Sequence, residues 1–216
     1  MMDDEFPPEF SAHFHNQFEA LLTWRRDVRR FLTDSIPEPM IESLLDLVQL
    51  APSVGNSQPW RFVRVESKTA RGALRENFER CNEQALAGHA RERAKTYASL
   101  KLSGLDDAPL QLAVFCDEAT DQGDGLGQVT MPETLLYSVV GAVHLLWLAA
   151  RAQGLGLGWV SILDPAEVKQ SLNVPDTWRL VAYLCLGWPQ ELDKVPELER
   201  LGWQSRTDAG RLVLKR

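Results

Sequence analysis

The sequence predicts an α+β fold, in which helices cover a sheet of antiparallel type. Helical and strand patterns alternate irregularly along the chain, without the regular βαβ units of a parallel sheet. Two strand candidates are nearly continuous apolar runs, and one long apolar helix lies between them. The chain has 216 residues, of which 44% are apolar and 25% charged, and these values suit one globular domain with a sizeable core.

The first part of the domain is expected to contain two helices, a polar loop and a strand. Helical spacing of apolar residues predicts one helix over 16–24 and a second within 35–53. The segment PSVGNSQPW, residues 52–60, consists of turn-forming residues and predicts a loop. Alternation in RFVRVE, residues 61–66, indicates a half-buried strand.

The remaining elements follow from composition and from glycine and proline positions. They predict a charged helical region over 68–104, a buried strand over 108–117 and a surface loop over 117–130. A long apolar helix over 132–153 follows, and then a short extended piece over 159–164, a small helix over 165–174 and a buried strand over 178–189. The glycine-rich GLGLG, residues 154–158, ends the long helix, and these glycines could also let backbone amides approach a flat ligand.

The chain is predicted to form one domain with a loose arm in front of it. Residues 1–15 are acidic and contain prolines, which predicts a flexible arm and no signal peptide, so that the domain covers 16–216. The C-terminal tail, residues 202–216, is a candidate edge strand or exchanged arm. No repeat or interdomain linker is visible.

Charge and cysteine content narrow the possible functions and compartments. A net charge of −7 argues against a nucleic-acid binder. Cys81, Cys116 and Cys185 are far apart and make no disulfide framework, which predicts a reducing, cytoplasmic compartment. The long apolar helix is expected in the core and not in a membrane, with His144 as a buried histidine. No histidine lies at metal-ligand spacing from a cysteine or carboxylate, so no metal site is predicted.

The segment TWRRDVRRF, residues 23–31, concentrates positive charge on an acidic protein. On a helix or turn, Arg25 and Arg29 would share a face with Arg26 beside them, and guanidinium groups suit a small anion such as phosphate. A solvated surface is the alternative interpretation. Asp27 could pair with an arginine, or it could transfer protons if it lines a pocket.

Two further segments carry polar groups that could meet a ligand. PSVGNSQPW supplies Ser53, Asn56, Ser57 and Gln58, whose donors and acceptors suit a heterocycle edge, although a plain turn is equally compatible. GLGLGWVSILDP carries Ser161 but has neither the dinucleotide fingerprint nor the nucleophile elbow of a hydrolase. The tryptophans beside these two segments, Trp60 and Trp159, belong to the core or wall a pocket.

These segments, in this order, resemble the nitroreductase-like flavoprotein family. That family has an RRSxR-type stretch, then PSxxNxQPW, a glycine-rich turn after the long helix, and a late arginine. This chain has RRDVR, PSVGNSQPW, GLGLGWVS and the pair Ser205–Arg206, so the similarity runs from about Trp24 to Arg206. Asp27 replaces the usual small residue of the first motif, and with Ser161 it resembles the flavin-consuming branch of the family.

The resemblance implies a nitroreductase-like α+β sandwich that forms an intertwined homodimer, with FMN at the subunit interface. The implied reaction uses reduced FMN as substrate and O2 as co-substrate, and it releases 5,6-dimethylbenzimidazole, the lower ligand of cobalamin, and erythrose 4-phosphate. A separate flavin reductase would supply the reduced FMN. The implied catalytic residues are Asp27 and Ser161, and the implied FMN-binding residues are Arg25, Arg26, Asp27, Val28, Arg29, Ser53, Asn56, Ser57, Gln58, Ser161, Leu163 and Arg206. The alternative is an NAD(P)H-dependent nitroreductase or quinone reductase that recycles its FMN, and a non-catalytic flavin-binding protein ranks third.

Overall fold

A four-stranded sheet forms the centre of the structure, a computed structural model that describes residues 7–87, 103–211 and 213–215. The strands are β1 (Trp60–Arg64), β2 (Leu110–Asp117), β3 (Gly156–Val160) and β4 (Trp178–Gly187). Their order is β1-β2-β4-β3, and each neighbouring pair is antiparallel. The predicted antiparallel sheet is therefore confirmed.

Helices and short helical turns connect and cover these strands. The helices are α1 (Ala12–Trp24), α2 (Glu38–Val48), α3 (Lys68–Ala87), α4 (Gly104–Asp107), α5 (Thr134–Ala152), α6 (Pro165–Leu172) and α7 (Glu197–Arg200). Two 3-10 turns cover Val54–Asn56 and Asp208–Arg211.

The hydrophobic core lies on both faces of the sheet, because successive side chains of a strand point to opposite faces. Along β2, Leu112 and Val114 enter a cluster with α2 and α5, whereas Ala113 and Phe115 enter a second cluster that includes residues of α3, α4 and α6. This explains why the β2 and β4 sequences are nearly continuous apolar runs. The predicted sandwich, a sheet covered by helices, is confirmed.

Helix α5 crosses one face of the sheet and is a core helix, as predicted. By length and composition alone it could span a membrane, but seven of its residues are buried inside the protein. Val139, Val143 and Leu146 are fully buried. The opposite side of the helix is open, and it carries His144 as an exposed residue, so the prediction of a buried histidine is wrong.

Several predicted boundaries are corrected by the structure. Helix α1 begins at Ala12, within the predicted arm, because the Ser11 hydroxyl caps it by accepting the Phe14 N–H at 3.2 Å. Strand β3 covers Gly156–Val160, so most of the extended piece expected at 159–164 lies after the strand. The described part of the C-terminal tail contains no strand. The helical prediction for 68–104 is confirmed up to Ala87, and residues 88–102 lie outside the described part of the chain.

Candidate functional site

The arginine segment, residues 25–30, is extended rather than helical, and it lies along β3. The Val28 N–H donates to the Leu157 carbonyl at 3.1 Å, and Asp27 forms a parallel bridge with Leu157. Arg25 and Arg29 are therefore not helical neighbours as predicted. In extended backbone, residues two apart share a side, which brings Asp27 beside Arg29.

The glycines of GLGLG allow this close approach. A Cβ on Gly156 would lie 2.7 Å from the Val28 Cγ2 atom, and a Cβ on Gly158 would collide with the Val28 carbonyl oxygen. The side chain of Val28 thus fills the space at Gly156 and its backbone carbonyl fills the space at Gly158, so the protein's own arginine segment, not a flat ligand as first interpreted, approaches these two glycines. Only Gly154, with φ of +87°, serves the predicted role at the end of the long helix.

The carboxylate of Asp27 is fixed by one contact on each oxygen. Its Oδ1 accepts the backbone N–H of Trp159 at 3.0 Å, and its Oδ2 accepts the Arg29 Nε–H at 3.3 Å. Burial raises the pKa of Asp27, although the Trp159 and Arg29 contacts oppose that shift. The side chain remains 38% exposed in a single chain, so a ligand can reach it.

Asp27 and Ser161 line the same cavity, of about 340 Å³. Ser161 directly follows β3 and is exposed. The cavity lining comprises Asp27, Arg29, Phe78, Asn82, Trp159, Val160, Ser161, Ile162, Leu198 and Trp203. The side chain of Leu163, a residue predicted to bind FMN, packs against the second core cluster, whereas its neighbour Ile162 lines the cavity. Trp159 lines the cavity, whereas Trp60 is a core residue.

Asn77 on α3 positions the loop that carries Ser161. Its side chain is almost fully buried, donates to the Asp164 carbonyl at 3.2 Å and accepts the Asp164 N–H at 2.8 Å. The Asp164 carboxylate in turn caps α6 by accepting the Ala166 N–H at 2.9 Å. Asn77 was not predicted from the sequence, since a lone polar residue in a charged helix gives no signal.

Arg25, Arg26 and Arg206 form a cluster of positive charge near Asp27. The Arg25 guanidinium lies over the Trp147 ring at 4.7 Å, and Arg26 donates from Nε to the Lys194 carbonyl at 2.7 Å. Burial lowers the pKa of both guanidinium groups, and the charge of Arg206 lowers it further. Among the described residues, no carboxylate lies within ion-pair distance of these three arginines. Such a cluster suits a phosphate group, whose charge would relieve the repulsion.

The buried carboxylate of Glu197 lies close to Arg29 and Arg30, the other two arginines of the segment. Its Oε1 lies 3.0 Å from Arg30 Nη1, its Oε2 lies 3.9 Å from Arg29 Nε, and its side chain is only 9% exposed. Glu197 was not predicted either, because PELER looks like an ordinary exposed turn of helix.

The loop that carries Ser53, Asn56, Ser57 and Gln58 forms a separate group. The Ser53 hydroxyl accepts the Gln58 N–H at 3.0 Å, which closes the loop on itself. Ser57 is 1% exposed, and its hydroxyl has no hydrogen-bond partner within the described structure. Gln122 donates to the Asn56 carbonyl at 2.8 Å and to Gln58 Oε1 at 3.0 Å, so the 117–130 loop docks on this group.

Within one chain, these two groups of predicted residues do not meet. The Val54 N–H donates to the Ser138 hydroxyl, whereas Trp147 donates to the Arg26 carbonyl. Ser138 and Trp147 are nine residues apart on α5, which is about 14 Å along the axis. The structure brings together Asp27, Arg29 and Ser161 and gathers Arg25, Arg26 and Arg206 nearby, but none of the residues 53–58 lines the Asp27 cavity.

Known proteins resemble this chain over nearly its full length. A 5,6-dimethylbenzimidazole synthase of Rhodospirillum rubrum is 62% identical over 92% of this chain and 94% of the relative. A protein of the same name from Rhodobacter capsulatus is 50% identical over 90% of this chain and 94% of the relative.

Solved structures agree in fold. An iodotyrosine deiodinase bound to FMN and 3-iodo-L-tyrosine superimposes with a TM-score of 0.69 at 28% identity, covering 81% of this chain and 91% of that one. The Nitroreductase family model matches residues 22–188. Together with the antiparallel sheet, the arginine segment on β3 and the long core helix, this match establishes that the chain belongs to the nitroreductase family.

Proposed function

We propose that this protein is an enzyme that fragments reduced FMN with O2 and releases 5,6-dimethylbenzimidazole and erythrose 4-phosphate. The observation that carries the proposal is the Asp27 carboxylate, which lines one cavity with Ser161 beside a cluster of arginines. A family member that only recycles FMN has no evident use for an acid at that position. The relatives named 5,6-dimethylbenzimidazole synthase, at 62% and 50% identity, support the same activity.

The residues present fit FMN. Arg25, Arg26 and Arg206 concentrate positive charge without an ion-pair partner among the described residues, which suits the phosphate. Arg29 directs Nε at the two carboxylates and lines the Asp27 cavity, where it could contact the ligand. Val28 contributes backbone and holds the segment on β3.

Asp27 is proposed to act as the base of the reaction. Bound reduced FMN supplies electrons and the carbon skeleton of the product, and O2 is the oxidant. Cleaving the ribityl chain requires removal of a proton from a sugar hydroxyl, and a carboxylate with a raised pKa accepts that proton better than an ordinary one. The Trp159 N–H and Arg29 fix its two oxygens in one orientation. Ser161, exposed at the same cavity, donates or relays a proton at the flavin ring.

We further propose that a second copy of the chain completes the site with Ser53, Asn56, Ser57 and Gln58. These residues lie off the Asp27 cavity of their own chain, and the Ser57 hydroxyl is buried without a partner in the described structure. A homodimer is also supported by exposed apolar residues. Phe14, Phe18 and Leu22 recur every four residues along α1 and are each more than 40% exposed.

We also propose a source for the reduced FMN and a compartment for the protein. No second redox centre is evident among the described residues, so a separate flavin reductase would deliver the reduced FMN. All three cysteines are free thiols, and two of them are buried, which suits a reducing cytoplasm.

The test is a single-turnover reaction. The protein is mixed anaerobically with reduced FMN and then exposed to air, and the products are separated by chromatography. We expect a 5,6-dimethylbenzimidazole peak that is absent without protein or without O2. Quantitative return of intact FMN, with steady NAD(P)H oxidation when that donor is added, would reject the proposal in favour of a flavin-recycling reductase. Sedimentation of the same sample at the mass of one chain would reject the homodimer.

A further inference from the structure

Two carboxylates converge on one guanidinium in this protein. Arg29 Nε lies 3.3 Å from Asp27 Oδ2 and 3.9 Å from Glu197 Oε2. The Arg29 side chain is 16% exposed and that of Glu197 is 9% exposed, so little water screens their charges. One cation shared by two anions cannot neutralise either of them fully.

Glu197 is kept in this position by the elements around it. It is the first residue of α7, and its other oxygen lies 3.0 Å from Arg30 Nη1. The chain leading to α7 is bound to the arginine segment, since the Gln190 N–H donates to the Arg30 carbonyl at 3.1 Å and its side-chain amide donates to the Phe31 carbonyl at 2.8 Å. The Glu197 carboxylate is therefore a fixed partner of both arginines.

We propose that Glu197 is a positioning residue, which limits how strongly Arg29 can pair with Asp27 by holding Arg29 and Arg30 on its own two oxygens. Without Glu197, the Arg29 guanidinium would pair with the Asp27 carboxylate alone. Asp27 would then be held in a tight ion pair and would be a weaker acceptor for a substrate proton. The proposal rests on the role of Asp27 given above, but the ionisation of Asp27 can be measured without flavin.

The charges around Asp27 agree with this arrangement. The groups that interact with it are Arg25 and Arg29 of the arginine segment, Glu197 of α7, the Trp159 N–H of β3 and the Cys185 thiol of β4. The negative charge of Glu197 adds to burial in raising the pKa of Asp27, whereas Arg29 and the Trp159 N–H lower it. On Cys185, burial raises the pKa to about 12, with Asp27 as the next contributor.

The experiment follows the Asp27 carboxyl carbon by NMR in the full-length, flavin-free protein with labelled aspartate. The spectrum of Asp27→Asn identifies the resonance. We expect Glu197→Gln to shift the Asp27 titration to lower pH, because it removes a like charge and leaves Arg29 to pair with Asp27 alone. Glu191→Gln is the matched control, since Glu191 is 69% exposed and lies 3.9 Å from Arg30 without contacting Arg29. It should leave the titration unchanged.

A second variant keeps the proposal testable if Glu197→Gln does not fold. Arg30→Gln removes the partner at 3.0 Å and leaves the Glu197 charge less compensated, so the Asp27 titration should move to higher pH. A role of Glu197 in stability alone would lower the melting temperature and leave the Asp27 titration where it is, and that result overturns the proposal.

The flavin reaction provides an independent comparison. In Glu197→Gln, the acidic limb of the pH profile for benzimidazole formation should move in the same direction as the NMR titration. Absence of any benzimidazole from the wild-type protein would reject the proposed function, while the NMR result would still decide the role of Glu197. A normal reaction with an unmoved Asp27 titration in Glu197→Gln would reject only the positioning role.

Discussion

The Oδ1 atom of Asp27 accepts the backbone N–H of Trp159 at 3.0 Å, which joins the arginine segment to the strand that leads into Ser161. Two residues that are 134 positions apart, Asp27 and Ser161, thereby line one cavity. Because both residues line this cavity, a single substitution at either one is expected to have a measurable effect on the site.

Asp27→Asn is expected to abolish benzimidazole formation while changing FMN affinity by less than about tenfold. An asparagine oxygen can still accept the Trp159 N–H, but the amide has no charge and cannot take a proton. Product chromatography and quenching of FMN fluorescence measure the two effects. Asp193→Asn, which alters another carboxylate near Arg26, serves as the control and should retain product formation. Parallel loss of binding and product in Asp27→Asn would mean that Asp27 is structural.

The raised pKa of Asp27 also predicts a pH dependence of stability. Because the folded state disfavours the ionised carboxylate, the contribution of Asp27 to folding is fully present below its unfolded pKa and is lost as the pH rises through the folded value. The melting temperature of wild type relative to Asp27→Asn should therefore fall as the pH increases from acid toward neutral. A constant difference across that range would contradict this expectation.

Ser161→Ala should reduce the yield of benzimidazole per flavin oxidised by about a hundredfold, as expected for loss of a proton-transferring group. Folding should be unaffected, because Ser161 is exposed. Ser171→Ala, an exposed serine on α6, is the matched control. The ratio of benzimidazole to intact FMN after single turnover is the measurement, and an unchanged ratio would remove Ser161 from the mechanism.

Arg206→Ala should weaken FMN binding roughly tenfold, since a hydrogen bond to a charged group contributes about 1.5 kcal/mol or more. Riboflavin lacks the phosphate, so its affinity should hardly change. Arg179→Ala, which removes an exposed arginine paired with Glu118, controls for net charge. Equal weakening of FMN and riboflavin would show that Arg206 does not act through the phosphate.

Gly158→Ala is expected to destabilise the protein by about 1–3 kcal/mol, because the added Cβ collides with the Val28 carbonyl oxygen. The collision also pushes the arginine segment off β3, so FMN affinity should fall with stability. Gly72→Ala offers a matched control on α3, where a Cβ meets nothing within 4 Å. It should be neutral or stabilise by up to about 1 kcal/mol. Denaturant unfolding measures both, and a silent Gly158→Ala would contradict the packing argument.

Elements with long, regular patterns were predictable from the sequence. Strands β2 and β4 and helix α5 are continuous apolar segments, and their existence and type are confirmed. Strand β3 was placed too late, because Gly156 and Gly158 resemble a helix-terminating loop until the approach of Val28 is known. That approach is a tertiary contact and leaves no local pattern.

The candidate site was predictable only where its motifs are contiguous. RRDVR was identified from its charge and Ser161 from its glycine-rich segment, the family resemblance implied their roles, and the structure brings Asp27 and Ser161 to one cavity. Asn77 and Glu197 could not be identified, since each acts through a contact with a residue more than 80 positions away. The extended conformation of residues 25–30 was also missed, because arginine-rich stretches have good helix propensity and the pairing with β3 overrides it.

Strand β3 is the last strand of the sheet, and the arginine segment covers part of its outer side through the Val28 N–H and the Asp27 bridge. An uncovered sheet edge offers unpaired N–H and C=O groups to other chains and promotes aggregation. The segment that we propose to bind the phosphate of FMN therefore also shields this edge of the sheet against edge-to-edge association. Substitutions in RRDVR are thus expected to lower solubility as well, and assays of activity alone would misattribute that loss to catalysis.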